Sequence, residues 1–253
     1  MALRRAEAYL LRRVEYGDNH VIAHFLSPQG RFAAIAYGAR SSKRRFAGGL
    51  QPLRLVDATY KPRKKGDLFQ LVEVDVLQHY PTLEASIESL SAASYAIDLI
   101  RSTWQEGVSS QPLFQLLHRL HHHLDQELES HDVARLTHQF ELQLLSHYGW
   151  APAIEACSRC GEPAHTLDRK KLSRRGEGII CPRCRRPNEA MGLIADPTWQ
   201  LLYHLLDPSK ALPADEDLPD ALRQASRVLE NAIHQILDRP LTSRSMLLGL
   251  LHA

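Results

Sequence analysis

The sequence contains little cysteine and no long apolar run. Its 253 residues include four cysteines, all in two short pairs, so a disulfide-rich secreted fold is not expected. No apolar segment approaches the roughly 20 residues needed to cross a bilayer. The N-terminal stretch MALRRAEAYLLRRVEYGD is interrupted by arginines, so we do not expect a signal peptide. The expected compartment is the cytoplasm, where paired cysteines favour metal binding over disulfide formation.

The sequence also lacks the local motifs of several common enzyme classes. It contains no HExxH motif, no P-loop and no nucleophile elbow. The segment HRLHHHLDQE does contain His118, His121, His122 and His123. Helical spacing puts the first three on one face, where they could hold a metal. Helix histidines without a ligand are the more common case, so we predict that the chain is not an enzyme.

Charge is distributed unevenly along the chain, although the net charge is only +2. Residues 1–80 carry 14 Lys+Arg and 7 Asp+Glu, and residues 150–190 carry 9 and 5. Residues 81–149 carry 3 and 9, and residues 191–253 carry 5 and 8. The basic parts could meet a polyanion, whereas an acidic helical block more often forms only a solvated face.

The pattern of residues 6–80 predicts five short β-strands. The segments are AEAYLLRRVE, NHVIAHFLSP, GRFAAIAYG, LRLVDATYK and LFQLVEVDVLQ, and most are separated by turn residues. Five antiparallel strands that leave no exposed edge favour a small closed barrel. The OB-fold has this strand number, and its loops commonly bind nucleic acid. An SH3-like barrel is the alternative.

From Pro81 onward the apolar spacing becomes helical. Three helices are predicted before the cysteines, and Gly149 is expected to end the third. Asp196 as a cap and Pro197 in the first turn predict another helix, and two more follow it. The predicted fold class is α+β and multidomain. An OB-fold barrel occupies residues 1–80, and an α-helical domain over residues 81–253 contains a zinc-binding insertion at 154–190.

The two cysteine pairs predict a metal site. Cys157 and Cys160 form the first CxxC pair, and Cys181 and Cys184 form the second after an interval of twenty residues. Four thiolates complete a tetrahedral site without an open position, so zinc bound there is structural. Four unligated cysteines and an iron–sulfur cluster are the alternatives. We predict one Zn²⁺ per chain, with Gly161 supplying a turn that needs positive φ.

Two basic loops of the barrel predict nucleic-acid binding. The loops YGARSSKRRFAGGLQP and KPRKKG contribute Arg40, Lys43, Arg44, Arg45, Lys61, Arg63, Lys64 and Lys65. Clustered cations of this kind give salt-dependent binding to phosphates with little sequence preference. The flanking Tyr37, Phe46 and Tyr60 could stack on bases, although a core position is favoured for each.

The segment around the cysteines is basic as well. It contributes Arg169, Lys170, Lys171, Arg174 and Arg175, with Arg183, Arg185 and Arg186 beside the second pair. A solvated face and an auxiliary DNA contact are both open interpretations for these cations.

The whole arrangement resembles the RecO family of bacterial recombination mediators. The local matches are GARSSKRRFAGGLQPL, SLSAASYAIDLI and FELQLLSHYGWAPAIEACSRCG. They occur in the same order as in the family, and the resemblance covers most of the chain. After about residue 190 the resemblance is limited to helical character.

The resemblance implies a DNA repair protein that binds single- and double-stranded DNA without sequence preference. It implies annealing of strands coated with the single-stranded DNA-binding protein SSB, loading of RecA with RecR, and a nucleoid-associated location. The matching loop identifies Arg40, Lys43, Arg44 and Arg45 as DNA-binding residues. Contact with the acidic SSB tail is implied for the helical domain, where Arg101, Arg119 and Arg135 are candidates. An RNA-binding or translation-associated OB-fold protein with a structural zinc ribbon is the alternative.

Overall fold

A computed structural model describes residues 2–42, 44–46, 48–63, 68–104, 109–174, 176–237 and 239–251. The chain divides into two compact units, Met1–Glu127 and Leu128–Ala253. The sequence predicts a domain boundary near residue 80, where the structure changes from strands to helices. This change lies inside the first compact unit. As a boundary between domains it stays a prediction.

The first unit begins with a closed barrel of five strands. They are β1 (Arg4–Tyr16), β2 (His20–Ser27), β3 (Gly30–Ala36), β4 (Leu55–Lys61) and β5 (Phe69–Gln78). The strand order is β1-β2-β3-β5-β4, and β4 pairs back to β1. The predicted OB-type barrel is confirmed, with one difference: β3 and β5 run parallel, from Ala34 paired with Phe69 to Ala36 paired with Leu71.

Alternation along the strands explains how the barrel buries its core. In β1, Ala6 and Ala8 are buried while Arg5 and Glu7 are exposed. A register shift between Leu10 and Arg12 then changes the face that β1 presents, as β-bulges do. The remaining strands contribute further inward side chains, including Phe25 of β2, to the same core cluster.

Three helices complete the first unit. They are α1 (Pro81–Ala85), α2 (Ile87–Thr103) and α3 (Ser110–Leu124). The Ser86 Oγ accepts a hydrogen bond from the Ser89 N–H at 3.2 Å and caps the start of α2. At the start of α1, the Asp125 carboxylate accepts hydrogen bonds from the N–H groups of Thr82 and Leu83, at 2.9 and 3.1 Å. α3 packs against β2 and β3.

The second unit is helical, with a two-stranded sheet inserted after its first helix. Its elements are α4 (Ser130–His147), a 3₁₀ turn (Ala164–Thr166), β6 (Lys171–Ser173), β7 (Met191–Leu193), α5 (Asp196–Leu206), α6 (Leu218–His234) and α7 (Thr242–Leu251). α4 packs against α5, α6 and α7. Among the described residues, no helix is long and apolar enough to cross a membrane.

The predicted helix ends agree with the structure at Gly149 and differ at Asp196. Gly149 follows the end of α4 with a φ of +73°, a conformation that glycine adopts without a steric penalty. The residue in the cap position of α5 is Ala195, and Asp196 is the first helical residue. Asp196 is thus one residue past the cap position, and its Oδ1 accepts a hydrogen bond from the Lys170 Nζ at 2.8 Å.

A buried ionic group joins three helices of the second unit. The Arg244 Nε of α7 donates to the Glu141 Oε1 of α4 at 2.8 Å, and its Nη2 donates to the Ser226 carbonyl of α6 at 2.9 Å. His138 Nδ1 lies 3.0 Å from Glu141 Oε2. Burial alone would raise the pKa of Glu141, but the charge of Arg244 and the hydrogen bond with His138 outweigh it and lower the pKa to about 2.

Candidate nucleic-acid interface and metal centre

The connection between β3 and β4, residues 37–54, is here named the basic loop. Its backbone is held in place on both sides of the cation cluster. Gly38, with a φ of +69°, accepts hydrogen bonds at its carbonyl from the N–H groups of Ser41 and Ser42. The Arg45 carbonyl accepts from the Val74 N–H of β5 at 2.9 Å. A Cβ at Gly49 would lie 2.5 Å from the Val74 Cγ1, so only glycine allows this close approach.

Three described cations of the basic loop, Arg40, Arg44 and Arg45, are at the surface, in different environments. Arg45 donates to the Tyr37 carbonyl at 3.0 Å, and its guanidinium lies 5.0 Å from the centre of the Phe46 ring. Arg40 donates to the Asp18 carbonyl at 3.3 Å and lies 3.5 Å from Glu15. Arg44 is exposed, and within the described part of the chain no side chain pairs with it. Lys43 lies outside the described residues.

The second basic loop begins at the end of β4. Lys61 and Arg63 are both partly exposed, and Lys64 and Lys65 lie outside the described residues. The structure therefore describes five of the eight cations that the sequence predicts for DNA binding: Arg40, Arg44, Arg45, Lys61 and Arg63. All five reach solvent at least in part, as a phosphate contact requires.

Two other charged residues of this region make internal contacts instead. Asp57, the one acidic residue between Arg40 and Lys65, forms a short ion pair with Arg5 across the β1–β4 pairing. Arg54 donates to the Gly48 carbonyl at 3.1 Å and lies 3.6 Å from Glu84. The negative charge of Asp57 is thus neutralised locally and does not weaken the positive field of the loops.

The aromatic residues near the loops separate into core and rim. Phe46 is buried in the core cluster, and Tyr37 is half-buried with its ring 5.1 Å from that of His20. Tyr60 stacks on Phe32 with ring centres 4.4 Å apart, and Phe69 packs edge-on against Tyr60 at 5.0 Å. The three half-buried rings of Phe32, Tyr60 and Phe69 are here named the aromatic rim.

The sequence interpretation missed two members of the aromatic rim. Phe32 and Phe69 lie near the starts of β3 and β5, and Tyr60 lies near the end of β4. Because β4 runs antiparallel to β5, and β3 runs parallel to β5, these positions meet at one end of the barrel. The sequence does show where each aromatic residue lies within its strand. That position predicts a common cluster only when the pairing of β3, β4 and β5 is known.

Residues 154–190 form a metal-site segment, here named the metal module. The Sγ atoms of Cys157, Cys160, Cys181 and Cys184 all lie within 4.8 Å of one another. Gly161, with a φ of +75°, donates its N–H to the Cys157 carbonyl at 2.9 Å, which confirms the predicted turn. The Cys184 N–H donates to the Cys181 carbonyl at 3.1 Å. Four converging thiols on two tight turns fit a tetrahedral metal ion.

The surroundings of the thiols favour one of them as a thiolate. Burial alone would raise the pKa of Cys157, but hydrogen bonds from the backbone N–H groups of Cys181, Arg159 and Cys160 lower it to about 6. Hydrogen bonds with the Cys160 and Cys181 side chains raise the pKa of Cys184 to about 12. A metal ion must displace the protons that these thiols retain, so binding to the cluster releases protons.

Arg159 links the two cysteine turns. Its Nη1 donates to the Cys184 carbonyl at 2.8 Å, and its guanidinium also pairs with Glu177 at 2.8 Å and with Glu189 at 2.5 Å. Arg159 lies between the first two cysteines in the sequence, and its partners flank or include the second pair. It therefore fixes the relative position of the ligand pairs from outside the cluster.

The predicted auxiliary cations of the metal module occupy different environments. Lys170 is buried, pairs with Asp196, and lies 4.7 Å from the centre of the Trp199 ring. Arg174 is exposed, and Arg175 lies outside the described residues. A cleft of about 540 Å³ has four cations in its lining: Arg169, Lys171, Arg183 and Arg185. Arg183 also pairs with Glu162 at 2.7 Å.

The four histidines of α3 do not converge on a common point. His121 is fully buried, and its ring packs edge-on against Tyr9 and Tyr80 with centres 4.9 and 5.4 Å away. His118 Nδ1 lies 2.8 Å from the Tyr9 hydroxyl, while His122 and His123 are exposed. Burial lowers the pKa of His121 to about 3, so its ring is neutral near pH 7. Among the described side chains, the four cysteines form the metal-type cluster.

The three arginines predicted for a partner tail are surface residues. Arg101 pairs with Asp98 at 2.6 Å, and Arg135 pairs with Asp132 at 3.2 Å, each within its own helix. Arg119 is exposed on α3. Ion pairs of this kind contribute little to stability, so their arginines can exchange an internal partner for an external one at small cost.

Two family models match the chain. The model described as Recombination protein O N terminal matches residues 1–80, and the one described as Recombination protein O C terminal matches residues 84–245. The first match spans the barrel, and the second spans most of the helices together with the metal module.

Curated relatives resemble the chain along almost its whole length. A protein of Anaeromyxobacter sp. (strain K) is 31% identical over 240 residues, which cover 94% of this chain and 93% of the relative. A protein of Geobacter sulfurreducens is 29% identical over 244 residues, which cover 96% of each. A protein of Exiguobacterium sp. is 30% identical over 227 residues, which cover 88% of this chain and 87% of the relative. Each of the three is named DNA repair protein RecO.

Proposed function

Because the chain belongs to the RecO family of DNA repair proteins, we propose that it binds single- and double-stranded DNA without sequence preference and anneals complementary strands. The exposed cations on two loops of a closed OB-type barrel carry this proposal. Loops of such barrels commonly bind nucleic acid, and phosphate contacts alone give binding that is strong at low salt and insensitive to sequence.

The proposed DNA interface consists of the two basic loops and the aromatic rim. Its cations are Arg40, Lys43, Arg44, Arg45, Lys61, Arg63, Lys64 and Lys65. Tyr60 belongs to the aromatic rim and precedes Lys61 in the chain, so a ring and a cation are adjacent along the strand. Stacking on an aromatic ring stabilises an unpaired base by about 1–3 kcal/mol and tolerates every base.

Annealing follows from screening of charge and needs no nucleotide. Two single strands repel each other through their phosphates, and a cationic surface that holds both lowers this repulsion. Three cations of the metal module are proposed as auxiliary DNA contacts: the exposed Arg169 and Arg174 and the partly exposed Lys171. The sequence also predicts Lys170 and Arg175 as auxiliary DNA contacts. Lys170 has less access to a phosphate because it is buried and paired with Asp196.

The proposed partners are those of a recombination mediator. We propose that the chain acts on SSB-coated strands, contacts the acidic SSB tail through its helices, and with RecR helps load RecA. Arg101, Arg119 and Arg135 are the proposed cations for the tail. The proposed location is the bacterial cytoplasm, near the nucleoid.

The proposed metal is one structural Zn²⁺ held by Cys157, Cys160, Cys181 and Cys184. Four thiols within 4.8 Å of one another support a closed site, in which the metal would stabilise the fold of the metal module. Metal analysis of fully reduced protein is expected to give one zinc per chain. Iron, or no metal, would contradict this assignment.

The test of function is annealing of complementary strands coated with SSB, at low and high salt and without nucleotide. We expect acceleration that weakens as salt rises. Replacing Arg44, Arg45, Lys64 and Lys65 with alanine is expected to slow annealing and to flatten the salt dependence of single-strand binding, by roughly 0.7 in log–log slope for each phosphate that is no longer neutralised. The control is Arg223→Ala, because Arg223 is an exposed cation of α6, which lies outside the two basic loops.

Two results would contradict the proposal. An unchanged slope in the four-residue variant would move the DNA site away from the basic loops. Tight binding without annealing of SSB-coated DNA would leave only a binding module and would favour the RNA-binding alternative, which competition between RNA and DNA then tests.

A further inference from the structure

A cavity of about 380 Å³ lies in the second unit, between β6, β7 and one face of α6. Gln224, Arg227 and Val228 line it from α6, and Gly192 and Leu193 line it from β7. Its volume is near the lower end of the range for small-molecule sites, which is about 300–1,000 Å³. A cavity of this size takes one compact ligand rather than an extended chain.

The α6 side of this cavity is a face that the helix does not use for its core. Arg227 and Val228 follow Gln224 by three and four residues, and Asn231 follows them by four and three, so the four residues lie on one side of α6. The opposite side, with Ala225, Leu229 and others, is buried against the rest of the unit. The cavity-facing side is therefore open to a ligand without any loss of core packing.

The lining combines two cations with apolar side chains and no carboxylate. Arg174 and Arg227 are both exposed residues of the lining, and its described residues include no Asp or Glu. Leu193 is 60% exposed and, with Val228, supplies apolar side-chain surface to the lining. This composition fits a ligand that has an apolar body and at least one negative charge.

Two details favour a flat ligand with hydrogen-bonding edges. The Gln224 Oε1 accepts a hydrogen bond from the Ala195 N–H at 2.9 Å, which fixes the carboxamide and leaves its NH₂ group as a donor. Gly192 lies within a strand, and a Cβ there would meet nothing within 4 Å. Glycine inside a strand often marks a place where a ligand approaches the backbone closely.

From these features we propose that the cavity binds one nucleotide of a single strand, with the base against Leu193 and Val228 and the phosphate near Arg174 and Arg227. The proposal rests on the proposed DNA binding and adds a site for an unstacked base, distinct in its residues from the barrel loops. A free nucleoside monophosphate has the same chemistry as a nucleotide within a strand. An acidic peptide with an apolar side chain is the competing ligand.

The test uses the full chain and an oligothymidylate that contains a single 2-aminopurine, whose fluorescence rises when the base leaves its stack. We expect a rise on binding to the unaltered protein. At Gly192 a Cβ would meet nothing within 4 Å, so Gly192→Phe can place a bulky side chain at the cavity, and we expect it to abolish most of the rise while DNA binding through the barrel persists. Arg227→Ala is expected to reduce the salt slope by about 0.7, and Arg223→Ala on the same helix is expected to leave it unchanged because Arg223 does not line the cavity.

The outcomes separate this proposal from the proposed function. Wild-type binding with an undiminished fluorescence rise in Gly192→Phe, at unchanged metal content and melting temperature, overturns the nucleotide site and leaves DNA binding intact. Failure of the unaltered chain to bind DNA at all overturns both. Displacement of the fluorescent base by deoxyadenosine monophosphate supports the site and shows that it accepts free nucleotide. Displacement by an acidic apolar peptide but not by the nucleotide overturns the proposal in favour of the peptide.

Discussion

The cations of the basic loop and those of the second unit lie in contrasting surroundings. In the basic loop, Arg44 is exposed without a described partner, Arg45 contacts a backbone carbonyl and a ring, and Arg40 contacts a carbonyl and the exposed Glu15. In the second unit, Arg159 and Lys170 pair with carboxylates inside the metal module and at its border, and Arg244 is buried beside Glu141. The cations of the basic loop therefore stay available to an outside partner, whereas Arg159, Lys170 and Arg244 hold the second unit together.

The contrast teaches that a basic segment must be separated into paired and available cations before it is assigned to DNA. Residues 150–190 contain nine cations, a composition that is typical of a segment that binds a polyanion. Yet Arg159 joins the two cysteine turns of the metal module, and Lys170 joins the module to α5. Three variants test this division and a fourth tests a buried uncharged group for contrast, from the largest expected effect to the smallest.

Arg244→Ala is expected to cause the largest loss, about 3–5 kcal/mol in the free energy of unfolding, because it leaves the Glu141 carboxylate buried without its cation. The measurement is urea unfolding followed by circular dichroism. The double variant Glu141→Gln with Arg244→Met removes both charges and is expected to recover much of the loss. Equal stability of Arg244→Ala and wild type would show that the buried pair does not support the second unit.

Arg159→Ala is expected to weaken metal retention by about 10-fold to 100-fold, the usual consequence of removing a residue that orients metal ligands. Release of the bound metal to a chromogenic chelator measures the change. Arg183→Ala is the matched control, since Arg183 also lies inside a CxxC pair but is largely exposed and forms its ion pair with Glu162. Similar release from both variants would remove Arg159 from this role.

His121 offers a matching test in the first unit. This buried titratable side chain is uncharged, whereas the buried Glu141 of the second unit is charged and paired. Its pKa is lowered from 6.5 to about 3 by burial, so the folded state resists protonation that the unfolded state accepts. The stability due to neutral His121 is complete above pH 6.5 and falls by about 1.4 kcal/mol for each pH unit below it, toward pH 3.

His121→Leu is expected to flatten this acid dependence of the unfolding free energy between pH 6.5 and 4.5. His122→Leu changes an exposed neighbour on the same helix and is expected to leave the dependence as it is. An identical pH profile in wild type and His121→Leu would contradict the account.

Arg44→Ala is expected to have the smallest effect on folding, within about 0.5 kcal/mol, because an exposed side chain without a described partner is removed. Its effect on DNA is a reduction of the salt slope by about 0.7 for single strands. Arg54→Ala is the converse control, since Arg54 contacts Gly48 and Glu84, and it is expected to lower stability while leaving the slope unchanged. The reverse result would exchange the roles of the two arginines.

The barrel was predictable because its signals are local. Alternating apolar residues and intervening turns fix each strand independently, and the spacing of the four cysteines predicts their convergence. Gly149 and Gly161 were predictable for the same reason, since a positive φ at a chain reversal strongly favours glycine.

The remaining features depend on pairings between distant residues. The parallel contact of β3 with β5, the aromatic rim and the Lys170–Asp196 pair each join positions that no local pattern connects. Lys170 in particular was indistinguishable in the sequence from its neighbour Lys171, although the structure buries one and leaves the other partly exposed. The three-residue strands β6 and β7 are too short to give a periodic signal.

The parallel contact between β3 and β5 has a consequence for the kinetics of folding. It joins Ala34 to Phe69, whereas β1, β2 and β3 are joined by tight turns. Loop closure over such a separation costs more chain entropy than a hairpin does, and non-local pairing slows folding. During synthesis the hairpins of β1 to β3 can form as soon as they emerge, but the free edge of β3 stays uncovered until β5 has been made. The order of the strands thus sets the interval in which a nascent barrel is exposed to edge-to-edge aggregation.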